Sequence, residues 1–279
     1  MRMNGTRISC SEYSFPAVSG QRERIGMVAL LGFELVDVAL FLPDGGDLVA
    51  DPAGVAAGLR AALTEHGLAT EDLFLADGET VEDIAPNQRD RSLRERRRRE
   101  FSAAVRVAEE LGIRGLTVLP GVTWAEDPAV SWAVCVEELS WRVEQAAAAG
   151  VETRIEAHAG SIAPVPELTA RLCGDVPGLR LTLDLSHFEL QSVTLDRMLT
   201  LVPLAGHLHV RGAKPGAIQV RWNDNETDLA ALVAALGAAG YAGAYCVEYV
   251  PMPKWRCDEV DVVTEALATR AALVELGVA

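Results

Sequence analysis

The sequence predicts an α/β protein, specifically a (β/α)8 barrel, on three observations. Helical patterns alternate with short apolar runs along the whole chain. Several of the helical patterns stop at a glycine, and a strand-like run follows each stop. Eight such runs fall within 279 residues, which suits a barrel of eight strand–helix units at about 250 residues.

The eight runs are RISCSEY from Arg7, LVDVALF from Leu35, DLFLA from Asp72, GLTVLP from Gly115, TRIEAH from Thr153, RLTLDL from Arg180, GHLHV from Gly206 and AYCVEYV from Ala244. Between them, apolar residues recur at helical spacing: Val55, Leu59 and Leu63; Leu229, Leu232, Val233 and Leu236; and Val263, Leu267, Ala271 and Val274. Each set predicts an amphipathic helix with those residues toward the sheet. Gly67, Gly112, Gly150 and Gly240 follow helical stretches. Glycine adopts the left-handed C-cap conformation at little cost, so these are stop signals. Mostly unalternating apolar strands joined by helices imply a parallel sheet covered by helices. A doubly wound open sheet is the alternative, but no G-x-G-x-x-G follows any strand. No linker interrupts the pattern, so residues 1–279 read as one barrel domain.

Composition narrows the function classes. Apolar residues make up 49% and charged residues 23% of the chain, which supports a sizeable core rather than disorder. The formal net charge of −15 opposes non-specific binding to nucleic acid or anionic lipid. The five cysteines, Cys10, Cys135, Cys173, Cys246 and Cys257, form no C-x-x-C pair. That favours a reducing cytoplasm over a disulfide framework or a zinc–thiolate site. The first residues, MRMNGTRISCSEYSF, lack an apolar signal-peptide core, and no run reaches the roughly 20 apolar residues of a membrane span. One segment breaks the acidic character: NQRDRSLRERRRREF, Asn87 to Phe101, with its dense part at Arg94–Arg99. It reads as the solvated start of the third barrel helix. The functional readings are a patch for an anionic substrate or a subunit contact in a homo-oligomer.

The last four runs carry the chemistry. Glu156 lies in RIEAH, Asp184 in LTLDL, His207 and His209 in HLHV, and Glu248 in CVEYV. Each is near the C-terminal end of its run, where barrel enzymes place their active sites. A carboxylate on a core strand is costly unless something pairs with it. Two glutamates, an aspartate and a histidine on successive strands suit Mn2+, Mg2+, Co2+ or Zn2+ with positions left open for substrate. His207 is the weaker of the two histidines, on the expectation that the HLH alternation turns only one of them inward. Four of the five histidines, His158, His187, His207 and His209, lie in or beside these strand ends, whereas His66 at a helix end reads as structural. Position alone nominates further residues: Trp124 after the fourth strand as a wall, Tyr13 and Phe15 after the first as a lid, and His158, Gln219 and Arg221 as hydrogen-bonding groups for substrate hydroxyls.

The stretches IEAHAGSI, LTLDLSHF, HLHVRGAKPGAIQV and AYCVEYV resemble the xylose-isomerase-like TIM barrels, a superfamily of sugar-phosphate isomerases and epimerases, ketose 3-epimerases, hydroxypyruvate isomerase, inosose dehydratase and endonuclease IV. The resemblance covers nearly the whole chain and is strongest from Thr153 to Val250. It implies one divalent ion, Mn2+ by preference, held by Glu156, Asp184, His209 and Glu248. It implies that His187, three residues after the aspartate, binds substrate. Many ketose epimerases carry an arginine six residues after the metal histidine. Here that position is Pro215, with Arg211 and Lys214 nearby, and Arg211 is the substrate-binding candidate. Where many relatives read G-x-G before the seventh helix, this chain has RWNDNETD.

The activity so implied is isomerisation or epimerisation of a small sugar, keto-sugar or sugar phosphate. Proton abstraction would pass through a metal-bound enediolate, with Glu156 and Glu248 as acid and base. The alternative is a lyase or dehydratase on a related polyhydroxy carbonyl compound, resembling inosose dehydratase or the C-glycoside-cleaving members. Phosphodiester cleavage as in endonuclease IV needs more histidine and carboxylate ligands on earlier strands than this chain has, and its charge disfavours DNA.

Overall fold

A computed structural model describes residues 7–40, 48–76, 78 and 80–278. The strands are β1 (Ile8–Ser11), β2 (Leu35–Leu40), β3 (Asp72–Leu75), β4 (Gly115–Val118), β5 (Glu152–Glu156), β6 (Arg180–Asp184), β7 (Ala205–Val210) and β8 (Tyr245–Val247). They pair in chain order, all parallel, and β1 pairs with β8 to close the barrel. All eight runs are strands at the expected places. Phe41, which ends the second run, lies outside the described residues.

The helices are α1 (Gln21–Leu30), α2 (Pro52–His66), α3 (Val81–Ile84), α4 (Arg91–Leu111), α5 (Pro128–Ala148), α6 (Pro166–Asp175), α7 (Ser186–Glu189), α8 (Leu195–Leu199), α9 (Leu229–Ala238) and α10 (Val262–Glu275). Local chemistry explains their ends. Asp51 accepts the Gly54 N–H at 2.9 Å and Pro52 begins α2, an N-terminus that loses nothing by lacking that N–H. Gly67 and Gly112 close α2 and α4 with φ of 67° and 70°, where a side chain would be strained. No helix among the described residues is long and apolar enough to cross a membrane.

Two expectations need correction. In α10 the buried residues are Glu265, Ala266, Thr269 and Leu273, while Leu267 and Val274 are exposed. The helix is apolar nearly all round, so spacing alone selects no face. The strands also alternate more than expected. In β6, Leu181 and Leu183 are part of the apolar layer under the helices. The intervening residues turn into the barrel.

That interior is polar. Thr117 and Thr182 hydrogen-bond at 2.7 Å, Arg154 donates to Asp72 at 2.8 Å, and His207 pairs with Asp37. Each pair joins strands that are not neighbours, so each spans the barrel's inside. Barrel interiors are ordinarily filled by Val, Ile and Leu. Here a layer of paired polar side chains replaces them, stable because each has a partner inside the barrel. Gly115 makes this possible, since a Cβ there would lie 2.1 Å from an Arg154 nitrogen. Stepping two residues along each strand moves one layer toward the C-terminal mouth on the same face. Arg154 leads to Glu156, Thr182 to Asp184, and His207 to His209. His207 and His209 therefore both face inward, which corrects the expectation that only one does.

The basic segment starts α4 on the outside of the barrel. Arg98 forms two hydrogen bonds to Glu138 of α5 at 3.0 and 2.9 Å, and Arg96 and Arg97 pair with Glu100 at 2.8 and 2.7 Å. Its charge is largely answered by glutamates of α4 itself and of α5. His66, at the end of α2, packs against Gly26 of α1, where a Cβ would meet its ring at 2.9 Å.

Candidate functional site

The mouth above β5–β8 gathers Glu156, Asp184, His209 and Glu248. Each offers one ligand atom, and the four atoms lie within 4.8 Å of one another. All four residues are buried. His209 Nδ1 is 2.7 Å from Glu156 and 3.3 Å from Glu248, so this imidazole joins the two glutamates. Asp184 accepts the Ser186 N–H at 2.8 Å, which aims its carboxylate back over the strand end.

Arg211 sits two residues beyond His209 and faces the same interior. Its guanidinium donates to both Asp184 and Glu248. Tyr13, just past β1, donates its O–H to Glu248. The tyrosine expected to form a lid thus reaches the site floor, whereas Phe15 belongs to the apolar core.

Charge crowding shapes every group here. Burial alone would raise Glu156, but His209 outweighs it and brings the carboxyl down to about 2. Burial would likewise raise Asp184, yet Arg211 and His187 hold it well below the usual range. Glu248 goes the other way: burial lifts it despite Arg211 and His209. Burial would lower His209, but Glu248 and Glu156 carry it up to about 10. Three carboxylates are therefore balanced by one guanidinium and one imidazolium. A divalent cation fits this donor set, because three hard oxygens and one imidazole nitrogen converge without a side-chain partner to neutralise all of them.

Over the floor lies a cavity of about 210 Å3, lined by Glu156, Glu248, Arg211, His158, His187 and Trp255 among others. His158 and His187 are 4.0 Å apart between ring centres, and Trp255 lies 5.3 Å from the first and 6.0 Å from the second. Burial and the neighbouring His158 keep His187 neutral, down to about 3. His187 Nε2 is 3.8 Å from Asp184, within the wall rather than among the four grouped groups.

Other candidates fall elsewhere. Gln219 spends its amide on backbone, donating to Val250 and Cys257 and accepting from the Val250 N–H, so it pins the loop after β8. Trp124 is half-buried beneath Arg89, whose guanidinium carbon is 5.0 Å from the ring centre, and it does not line the cavity. Arg221 is exposed and paired with Asp224. Trp255 and Phe74 also line the cavity, and no sequence pattern points to either. Trp255 lies in PMPKWRCDEV, a loop without periodicity, where an aromatic after the last strand was the sole signal.

The fold has close relatives in shape. D-psicose 3-epimerase with D-tagatose from Clostridium cellulolyticum H10 superposes with a TM-score of 0.75 at 16% identity, covering 96% of this chain and 98% of that one. L-ribulose 3-epimerase gives 0.74 at 17%, covering 96% and 93%. A xylose isomerase-like TIM barrel protein from Mycobacterium smegmatis, in complex with magnesium, gives 0.73 at 15%, covering 97% and 96%. No curated protein sequence matches the chain. The profile of one protein family matches residues 26–269, and with the closed eight-stranded barrel this establishes that the chain belongs to the xylose isomerase-like TIM barrel family.

Proposed function

We propose that this chain is a divalent-metal-dependent isomerase or epimerase of a small sugar, keto-sugar or sugar phosphate, with Mn2+ the preferred ion. The observation that carries the reading is the placement of Glu156 and Glu248 on either side of His209, at 2.7 and 3.3 Å, beneath a cavity of about 210 Å3. Glu156, Asp184, His209 and Glu248 would hold the ion. When bound, it acts as a Lewis acid that makes a proton next to a substrate carbonyl easier to remove.

The protein's own groups account for the rest. One glutamate, as the carboxylate, takes the proton from carbon and becomes neutral; the other starts as the neutral acid, gives its proton to the opposite face or to the next carbon and becomes the carboxylate, and proton exchange with water resets the pair. Tyr13 and Arg211 both donate to Glu248, which fixes that carboxylate's orientation on two sides. His187 and His158, buried in the cavity wall, offer hydrogen bonds to substrate hydroxyls. Trp255 presents a flat apolar face to a sugar ring. The structures of the D-psicose and L-ribulose 3-epimerases, alike in fold, support a sugar as the substrate class. This reading takes residues 1–279 as one domain.

The test is incubation of Mn2+-loaded protein in D2O with a panel of ketoses, inososes and their phosphates, followed by NMR. Proton transfer at carbon puts deuterium into the product. An active substrate whose product carries no deuterium would overturn the mechanism.

A further inference from the structure

One layer below the site floor the barrel interior holds a second buried group: Asp37 on β2, His207 on β7 and Cys246 on β8, with His209 above them. Asp37 Oδ2 is in direct hydrogen bond with His207 Nε2, which leaves no space for an ion between those two. Two atoms of this cluster lack any partner, Asp37 Oδ1 and His209 Nε2. Asp37 is 1% exposed and His209 2%, so neither atom has access to bulk water. His209 Nε2 lies 4.0 Å from Asp37 Oδ2, and the His207 and His209 rings meet edge-on, 5.6 Å apart.

The two nitrogens of His209 thus have opposite surroundings. Nδ1 looks up at Glu156 and Glu248. A neutral imidazole that offers Nδ1 to a cation carries its proton on Nε2. A buried N–H without an acceptor is costly, and imidazoles that bind metals almost always give their second N–H to a carboxylate or carbonyl. Asp37 Oδ2 is the carboxylate oxygen 4.0 Å from that nitrogen, and although it already bonds His207, a carboxylate oxygen can accept a second hydrogen bond.

We propose that Asp37 is the positioning residue for His209: it accepts the Nε2–H and thereby fixes the ring and the tautomer that turn Nδ1 toward the ion. A closure of about 1 Å brings the pair to hydrogen-bond length. His207, bonded to the same Asp37 oxygen, Oδ2, anchors the carboxylate, so the order across the barrel is His207, Asp37, His209. The inference rests on the reading of Glu156, Asp184, His209 and Glu248 as the ion's ligands.

The test is a competition titration of chelator-stripped protein with Mn2+ against a fluorescent chelator, for the wild type and for Asp37→Ala, Asp37→Asn, His207→Gln and His209→Ala. Asp37→Ala is expected to weaken Mn2+ binding about 10- to 100-fold. Asp37→Asn keeps an acceptor oxygen, so about three- to tenfold weaker binding is expected, and this variant carries the test if the alanine variant does not fold. His207→Gln leaves Asp37 in place and is expected to bind within about threefold of wild type. In Mg2+-loaded protein with 15N-labelled histidine, the His209 ring should show its proton on Nε2, and Asp37→Ala should lose the slowed exchange of that proton. Unchanged affinity in both Asp37 variants would overturn the proposal. So would an equal loss in His207→Gln, which would assign the effect to interior packing. If His209→Ala binds Mn2+ as well as wild type, the ligand reading itself falls, an outcome distinct from failure of the Asp37 variants alone.

Discussion

The two halves of the barrel mouth differ sharply at the same height. On β5–β8 the inward residues at that height are Glu156, Asp184, His209 and Glu248. On β2–β4 the corresponding positions are Ala39, Phe74 and Leu119, which form a small apolar cluster with Tyr13 and Ala76. Glu12 follows β1 but is bound by Arg24 and Gln21 away from the cluster of ligands. One half can therefore carry charge transfer while the other excludes water from it. Tyr13 is the crossing point, stacked on Phe74 at 5.6 Å and donating to Glu248. The lesson is that a single barrel layer supplies both the polar floor and the low-dielectric wall that strengthens it.

The largest expected effect breaks the apolar half. Phe74→Ala removes a ring that stacks on Tyr13 and packs edge-on to His209 at 6.2 Å. It should cost about 3 kcal/mol of stability in urea denaturation, while Mn2+ still binds. Loss of the ion together with the ring would mean that the two halves are not separable.

The next breaks the polar half. Glu156→Gln and Glu248→Gln keep size and an acceptor oxygen but cannot carry a proton. Each should reduce turnover by about 10²-fold, or about 2.7 kcal/mol, at saturating Mn2+. Near-normal turnover in either variant would remove that glutamate from the proton path.

A smaller effect belongs to the wall between them. His187→Ala should retain the ion and weaken substrate binding by roughly tenfold, the worth of one hydrogen bond to substrate. Loss of the ion in that variant would move His187 from the wall to the ligand set. The smallest effect is outside the site altogether. Trp124→Ala should change kcat/KM by less than about twofold, since Trp124 packs under Arg89 away from the cavity; a larger loss would bring it back to the mouth.

Much of this was legible in the sequence, and the failures have physical reasons. The strands could be read because apolar runs recur between helical patterns, several of which end at glycines such as Gly67 and Gly112. The polar residues at strand ends could be collected because a charge in an apolar run stands out. The face of α10 could not be read, because VVTEALATRAALVELG offers apolar residues in every direction. His207 faces inward with His209 because residues two apart on a strand share a face. The pairing of Asp37 with His207 depends on barrel closure, which brings β2 and β7 face to face across the interior; no local pattern announces that. Gln219 and Trp124 were nominated by loop position alone, and a loop's side chains can turn either way. Trp255 enters the wall only because the loop after β8 folds back over His158 and His187.

The central claim is that the charged half of the mouth binds one divalent ion through four residues. The most direct measurement is metal content by elemental analysis after chelator stripping and reloading with Mn2+, in the wild type and in Asp184→Ala, with circular dichroism to check folding. The expected result is one Mn2+ per chain in the wild type and a loss in the folded Asp184→Ala variant, whose Arg211 would retain Glu248 as its carboxylate partner. Undiminished Mn2+ in that variant would contradict the assignment.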